Sequence, residues 1–405
     1  MRILFVLPYV PSLIRVRPYN FIRQLARRHE VAVLATGSGR EVADGDGLRA
    51  ICRGVYMVPL SRAASLRSCA LAAARGEPLQ SAVCQSPALE GRLLELLAER
   101  RFDVVHVEHL RAARLGTLVP DDVPTVFDSV DCISLLLERT LRASHSLRQR
   151  MVAALELRRT RAYEARLLGQ FDRVVVTSPQ DAQALRALAP RSEVAVVPNG
   201  VDLDYFRPSG APPDPATLVF SGKMSYHANV TAALHFVRRI FPLVRAARPD
   251  ARLRIVGSDP PRAIRALGSD PAISVTGYVP DLREALGRAA VAVCPVTVKV
   301  GIQNKVLEAM AMGVPVVSTR EGVEGLETEP GRDLLVADNP AGFAEHVCRL
   351  LADPGLRDRL GSAGRRYVEA RHRWDVAAGR LEDLYSEAIS SRRRARSHER
   401  SVEEC

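Results

Sequence analysis

The stretch GIQNKVLEAMAMGVPVV, residues 301–317, sets Lys305 and Glu308 three positions apart in a run that reads as a short helix. At that spacing the two side chains share one helix face, and two chemistries fit. One is a surface ion pair, which contributes about 0.2 to 0.5 kcal/mol. The other is a ligand site, in which free amides around 302–304 hold a phosphate at the helix start, Lys305 adds charge to the same opening, and Glu308 accepts hydrogen bonds one turn further on. By itself the segment favours the ion pair. The helix is expected over 303–312, since Gly313 and Pro315 stop it.

Other candidates are weaker in isolation. The acid pair of DLD at 202–204 lies in a loop, whereas a magnesium site needs carboxylates with phosphates on rigid elements, so no metal is expected. Arg15 and Arg17 in PSLIRVRPYN make a basic loop after an apolar run, and Arg17 must be extended because Pro18 follows. His106, Glu108 and His109 in VVHVEHL, and Asp128 in TVFDSVD, end apolar runs, and each alone reads as structural. The common dinucleotide, P-loop, zinc-protease and nucleophile-elbow patterns are absent.

These residues need a scaffold, and the chain supplies a repeated one. Apolar runs such as ILFVLPYV, EVAVLAT, FDVVHV and FDRVVVTS alternate with helical patterns, then a second series begins with TLVFSG, RLRIVG, ISVTGYV and VAVCPV. Continuous rather than alternating apolar strands mark a sheet buried on both faces, hence parallel α/β. With 405 residues, two doubly wound (Rossmann-like) domains facing a cleft are expected. The boundaries read as 1–195 and 196–374, then a helix at 375–390 crossing back to the first domain and a disordered basic tail at 391–405. In such sheets ligands bind beyond the carboxyl ends of the strands.

A formal net charge of +11 favours anionic partners. A nucleic-acid-binding or scaffold role would fit the charge, but the familiar RNA- and DNA-binding signatures are missing and aromatics make up only 5%, leaving few stacking platforms. Seven cysteines without a CxxC spacing suit neither a disulfide framework nor a zinc site, so a reducing cytoplasm is expected. The first ten residues read as a strand rather than a leader, and no run approaches the ~20 apolar residues of a membrane span. The arginine-rich helix at 151–169 leaves two readings open, a solvated face or one resting on an anionic membrane.

Together, VVPNGVDLDYFRP, the pattern KxxExMAMGVPVVST, and RLRIVG followed by VTGYVPDL resemble the family 4 retaining glycosyltransferases of GT-B fold. The resemblance spans nearly the whole chain, and GIQNKVLEAMAMG with FSGKMSYHANV looks similar to exopolysaccharide-associated sugar transferases. It implies that a nucleoside-diphosphate sugar donates a glycosyl group, with retention, to a sugar or lipid-linked glycan hydroxyl. The enzyme would work without metal or cofactor, in the cytoplasm or peripherally at the inner face of the plasma membrane, and without nucleic acid as partner. A GT-B nucleotide-sugar epimerase, sharing the donor site, is the alternative enzyme.

The resemblance also implies roles. Glu308 would accept the ribose hydroxyls, amides near Gln303, Asn304 and Lys305 would hold the diphosphate, and the backbone around Tyr278 and Val279 would read the base edge. Gly222 and Lys223 stand where the family has a phosphate-binding Gly-Arg. Departures are informative: Val300 replaces the first acid of the family's EX7E, and Ala228 replaces a second basic residue whose charge Lys305 is expected to supply. Arg15 and Arg17, replacing a Gly-rich loop, would reach the diphosphate, and Asp128 occupies the place of a catalytic-region histidine. Lys223, Lys305 and Asp128 are thus the expected catalytic groups.

Overall fold

The computed structural model describes residues 1–12, 15–37, 46–143, 147–208, 210, 212–297 and 301–403. The chain forms two compact units, Met1–Pro198 with Trp374–Cys405, and Asn199–Arg373.

The first unit carries a parallel sheet of seven strands: β1 (Arg2–Leu7), β2 (Glu30–Gly37), β3 (Gly54–Pro59), β4 (Val104–Glu108), β5 (Thr125–Val130), β6 (Arg173–Val176) and β7 (Val194–Val196), in the order β3-β2-β1-β4-β5-β6-β7. Its continuous apolar strands feed two cores. Along β1, Leu4 and Val6 point into one apolar layer while Ile3, Phe5 and Leu7 point into the other, as the two-residue period of a strand requires.

The second layer is closed by the helix Trp374–Glu403, which buries Trp374, Ala377, Ala378, Leu381, Tyr385 and Ala388. The Trp374 and Phe21 rings meet edge to face at 5.4 Å. This helix runs on to Glu403, so the expected disordered tail is corrected over the described residues. Arginine is a good helix former, and a buried first half removes the cost of nucleation. Arg392 further pairs with Asp172 at 2.9 Å.

The second unit carries six parallel strands, β8 (Asp214–Ser221), β9 (Arg252–Val256), β10 (Ile273–Gly277), β11 (Ala289–Cys294), β12 (Val316–Ser318) and β13 (Leu335–Val336), in the order β10-β9-β8-β11-β12-β13. The helical stretch between β8 and β9 is broken into His227–His235, a π-helical turn Phe236–Ile240, and Phe241–Ala247. Pro242 explains the break, because it offers no amide to the ladder and its ring crowds the carbonyl four residues back. No described helix is long and apolar enough to cross a membrane.

Candidate functional site

In the second unit, three successive strands end in loops that hold one another. Gly222, just after β8, donates its amide to the Val256 carbonyl at 3.0 Å; Gly257, after β9, donates to the Gly277 carbonyl at 3.0 Å; and Met224 donates to the Ser258 carbonyl at 2.9 Å. Gly222 and Gly257 have φ of 144° and 151°, a region that side chains rarely tolerate. A Cβ on Gly257 would lie 1.8 Å from the Gly222 oxygen, and one on Gly222 would lie 2.8 Å from Asn229 Nδ2 and 3.3 Å from Lys305 Cε. The loop after β8 is therefore pressed against both neighbours.

The helix Asn304–Ala311 opens toward this loop, with Gln303 at its N-cap making no side-chain cap bond. Its first amides, with no intrahelical carbonyl to reach, are the ones a ligand can use. Lys305 Nζ donates to Asn229 Oδ1 at 2.6 Å and to Gln303 Oε1 at 3.2 Å, and lies 5.2 Å from the centre of the Phe220 ring. Burial lowers the Lys305 pKa against the opposing charges of Cys294 and Glu308. Lys305 thus brings an ammonium beside Gly222 from a different helix.

Glu308, one turn further along the helix, is half-buried. Burial raises its pKa to about 7, with Lys305 acting in the opposite sense. Among the described residues its carboxylate has neither a hydrogen bond nor an ion pair, Lys305 included. The simple ion pair that the spacing favours is not formed. What remains is an acceptor without a donor, one turn from free amides and an ammonium.

The surrounding positions complete the description. Lys223 is exposed on the loop after β8. Tyr278, following Gly277 at φ 70°, is 70% exposed, whereas Val279 is half-buried against the core. Asn199, from the NGVD motif, donates to Asn304 Oδ1 at 3.1 Å, and its carbonyl meets His372 Nδ1 at 2.8 Å. That motif therefore ties down the start of the helix bearing Lys305 and Glu308. Val300 lies outside the described residues. A groove of about 620 Å³ near Arg252, Arg254 and Arg288 lies at the amino ends of the strands, the end opposite to where open parallel sheets bind ligands.

The first unit departs from expectation at two residues, and Arg17, expected to be extended before Pro18, instead lies in the first turn of the helix Val16–Leu25, where a proline is tolerated. Asp128 is fully buried, accepting from Arg17 Nε at 2.7 Å and from the Val130 amide at 3.0 Å. Arg17, 4% exposed, also donates to the Val197 carbonyl at 2.9 Å. The two buried charges pair with each other, and neither side chain is exposed. Arg15, by contrast, stacks its guanidinium 3.9 Å from the centre of the Tyr9 ring, and the Tyr9 hydroxyl donates to Glu108.

Around the Arg17–Asp128 pair, His106 accepts or donates through Nδ1 to the Tyr385 hydroxyl at 2.8 Å. Burial lowers the His106 pKa to about 4 and raises that of Glu108 to about 8, the latter with help from the Asp128 charge. Burial likewise takes His109 to about 3. These groups form a desolvated polar network at the carboxyl ends of β4 and β5.

Comparisons with known proteins cover both units. The family model described as Glycosyltransferase Family 4 matches residues 15–205, and Glycosyl transferases group 1 matches 215–353. A D-inositol 3-phosphate glycosyltransferase from Streptomyces bingchenggensis is 30% identical over 260 residues, 58% of this chain, which spans 57% of that relative's length. Its counterpart from Streptomyces avermitilis is 28% identical over 334 residues, 73% of this chain and 68% of that protein. Among solved structures, sucrose-phosphate synthase from Thermosynechococcus elongatus superposes with a TM-score of 0.73 at 18% identity, over 96% of this chain and 100% of that one. Anabaena HepE in complex with UDP gives 0.68 at 14% identity, again over 96% and 100%. The fold is that of two Rossmann-like parallel-sheet units, GT-B.

Proposed function

We infer from the two matching family models that the chain is a family 4 glycosyltransferase, and we propose that it transfers a glycosyl group, with retention, from a nucleoside-diphosphate sugar to an acceptor hydroxyl. The observation that carries this reading is the unpartnered Glu308 carboxylate beside Lys305, the amides starting the helix Asn304–Ala311, and the loop Gly222–Lys223. An ionised carboxylate pairs with the two ribose hydroxyls as a charge-assisted acceptor. The amides of Asn304 and Lys305, with the Lys305 and Lys223 ammonium groups, suit a diphosphate.

As the glycosidic bond breaks, negative charge grows on the leaving diphosphate. Donors already in place stabilise that charge, an effect worth about 3 to 4 kcal/mol for one well-placed group. The backbone at Tyr278 and Val279 is proposed as the contact to the base. The departing phosphate takes the acceptor's proton in this scheme, so no protein base is assigned and Asp128 and Arg17 have no role in it. HepE is named for its UDP complex and two relatives for inositol 3-phosphate. We therefore propose a uridine or related nucleotide sugar as donor and a polyol or sugar hydroxyl as acceptor, with an exopolysaccharide glycan as the acceptor that the motif resemblance favours.

One surface supports peripheral membrane contact during that reaction. The helix Leu147–Leu168 exposes Leu147, Met151, Val152 and Leu155, with Arg148, Arg150 and Arg158 also exposed on it, a composition that suits an anionic lipid surface. The test of the main reading is a thermal-shift screen of nucleotide sugars with wild type and Glu308→Ala. A nucleotide sugar should stabilise the wild type and lose most of that effect in the variant; equal stabilisation of both proteins refutes the ribose assignment. Donor turnover without any acceptor would instead indicate an epimerase.

A further inference from the structure

The proposed donor site depends on a residue that does not itself carry charge. Asn229 lies in the helix His227–His235 and is 7% exposed. Its amide works in two directions at once: Nδ2 donates to the Lys223 carbonyl at 2.9 Å, and Oδ1 accepts from Lys305 Nζ at 2.6 Å. Gly222 packs directly on this amide, since a Cβ there would stand 2.8 Å from Nδ2. One side chain therefore joins the loop after β8 to the lysine of a helix 76 positions further along the chain.

We propose that Asn229 is a positioning residue for the diphosphate of the donor, setting the Lys305 ammonium and the Gly222–Lys223 backbone at a fixed separation before the ligand arrives. The inference rests on the donor-site reading given above. The physical need is clear. A lysine ammonium ends a flexible four-carbon stem, and without an anchor its rotamer freedom must be lost each time phosphate binds. Oδ1 supplies that anchor without neutralising the charge, which an aspartate would do. Nδ2 holds the carbonyl of Lys223 and so orients the peptide leading into the exposed lysine. An acceptor at one end and a donor at the other are both required, and among uncharged side chains of this length only an amide offers them.

The experiment is calorimetric titration of the full chain with UDP, GDP and ADP, each against its own free nucleoside, for wild type, Asn229→Ala, Asn229→Asp, Lys305→Ala and the double variant Asn229→Ala/Lys305→Ala. Wild type should bind at least one diphosphate. Asn229→Ala should weaken that diphosphate at least tenfold and its nucleoside less than twofold. The nearly isosteric Asn229→Asp, which preserves packing, should show a loss of the same order because its carboxylate cancels the Lys305 charge. In the Lys305→Ala background, Asn229→Ala should cost clearly less than it does in the wild type, since one of its two partners is already gone.

Equal losses for nucleoside and diphosphate, or losses in the double variant that multiply as for independent sites, would overturn the positioning role, as would Asn229→Asp binding like wild type. Wild type that binds none of the three diphosphates would overturn the donor-site reading itself. Tight wild-type binding that Lys305→Ala weakens and Asn229→Ala leaves unaltered would overturn the role of Asn229 alone.

Discussion

Glu308 is an acid whose burial raises its pKa to about 7, and a ribose diol donates hydrogen bonds to the ionised form. The ligand thus favours loss of the proton. Affinity for a nucleotide sugar, whose diphosphate does not titrate near neutrality, should rise with pH from about 5.5 and level off above about 7. The limit is tenfold per pH unit for one linked proton. Titrations across that range check this, and Glu308→Gln should flatten the profile; a wild-type curve that stays flat contradicts the assignment. At this scale the sequence was legible only in combination. Glu308 and Lys305 stand out once read with the NGVD motif. Asn229 did not, because a single amide in a helix carries no periodic signal, and its partners are set by the fold. The inward turn of Arg17 onto Asp128 was hidden for the same reason, as the pair is separated by 111 positions.

Among the elements, the loops after β8, β9 and β10 act as one unit. Gly257→Ala would drive a methyl group to 1.8 Å from the Gly222 oxygen, so both loops must separate. We expect about 1 to 3 kcal/mol of destabilisation, the range for overpacking a tight contact, with loss of diphosphate binding. Gly379→Ala is the contrasting case: nothing lies within 4 Å of a Cβ there, and it sits inside the helix Trp374–Glu403. That change should stabilise by about 0.5 to 1 kcal/mol. Urea unfolding of the two variants separates steric crowding from backbone freedom. The strands were readable because continuous apolar runs dictate burial on both faces. The π-helical turn at Phe236–Ile240 was less so, although Pro242 marked where a regular helix must yield.

For the whole molecule, the exposed apolar residues of the helix Leu147–Leu168 make a binding prediction. The protein should co-sediment with vesicles containing about one third phosphatidylserine at low salt, and much less with pure phosphatidylcholine, as expected where basic side chains meet an anionic surface. Leu147→Glu/Leu155→Glu should abolish sedimentation while leaving nucleotide binding intact. Sedimentation unaffected by the double change would exclude this face. Composition pointed to the arginines, but only the fold shows which leucines beside them stay uncovered.

The route of the chain has a consequence for how the protein is made. The first unit is interrupted after Pro198 and completed only by Trp374–Cys405, whose Trp374, Leu381 and Tyr385 close one of its two apolar layers. As the chain leaves the ribosome, Asn199–Arg373 emerges uninterrupted and can collapse on its own core. The earlier half must wait, with Phe5, Phe21 and Leu25 lacking their cover until the last helix is synthesised. We therefore expect the first unit to finish folding after Asn199–Arg373, with its uncovered apolar layer the surface at risk of aggregation in the nascent chain.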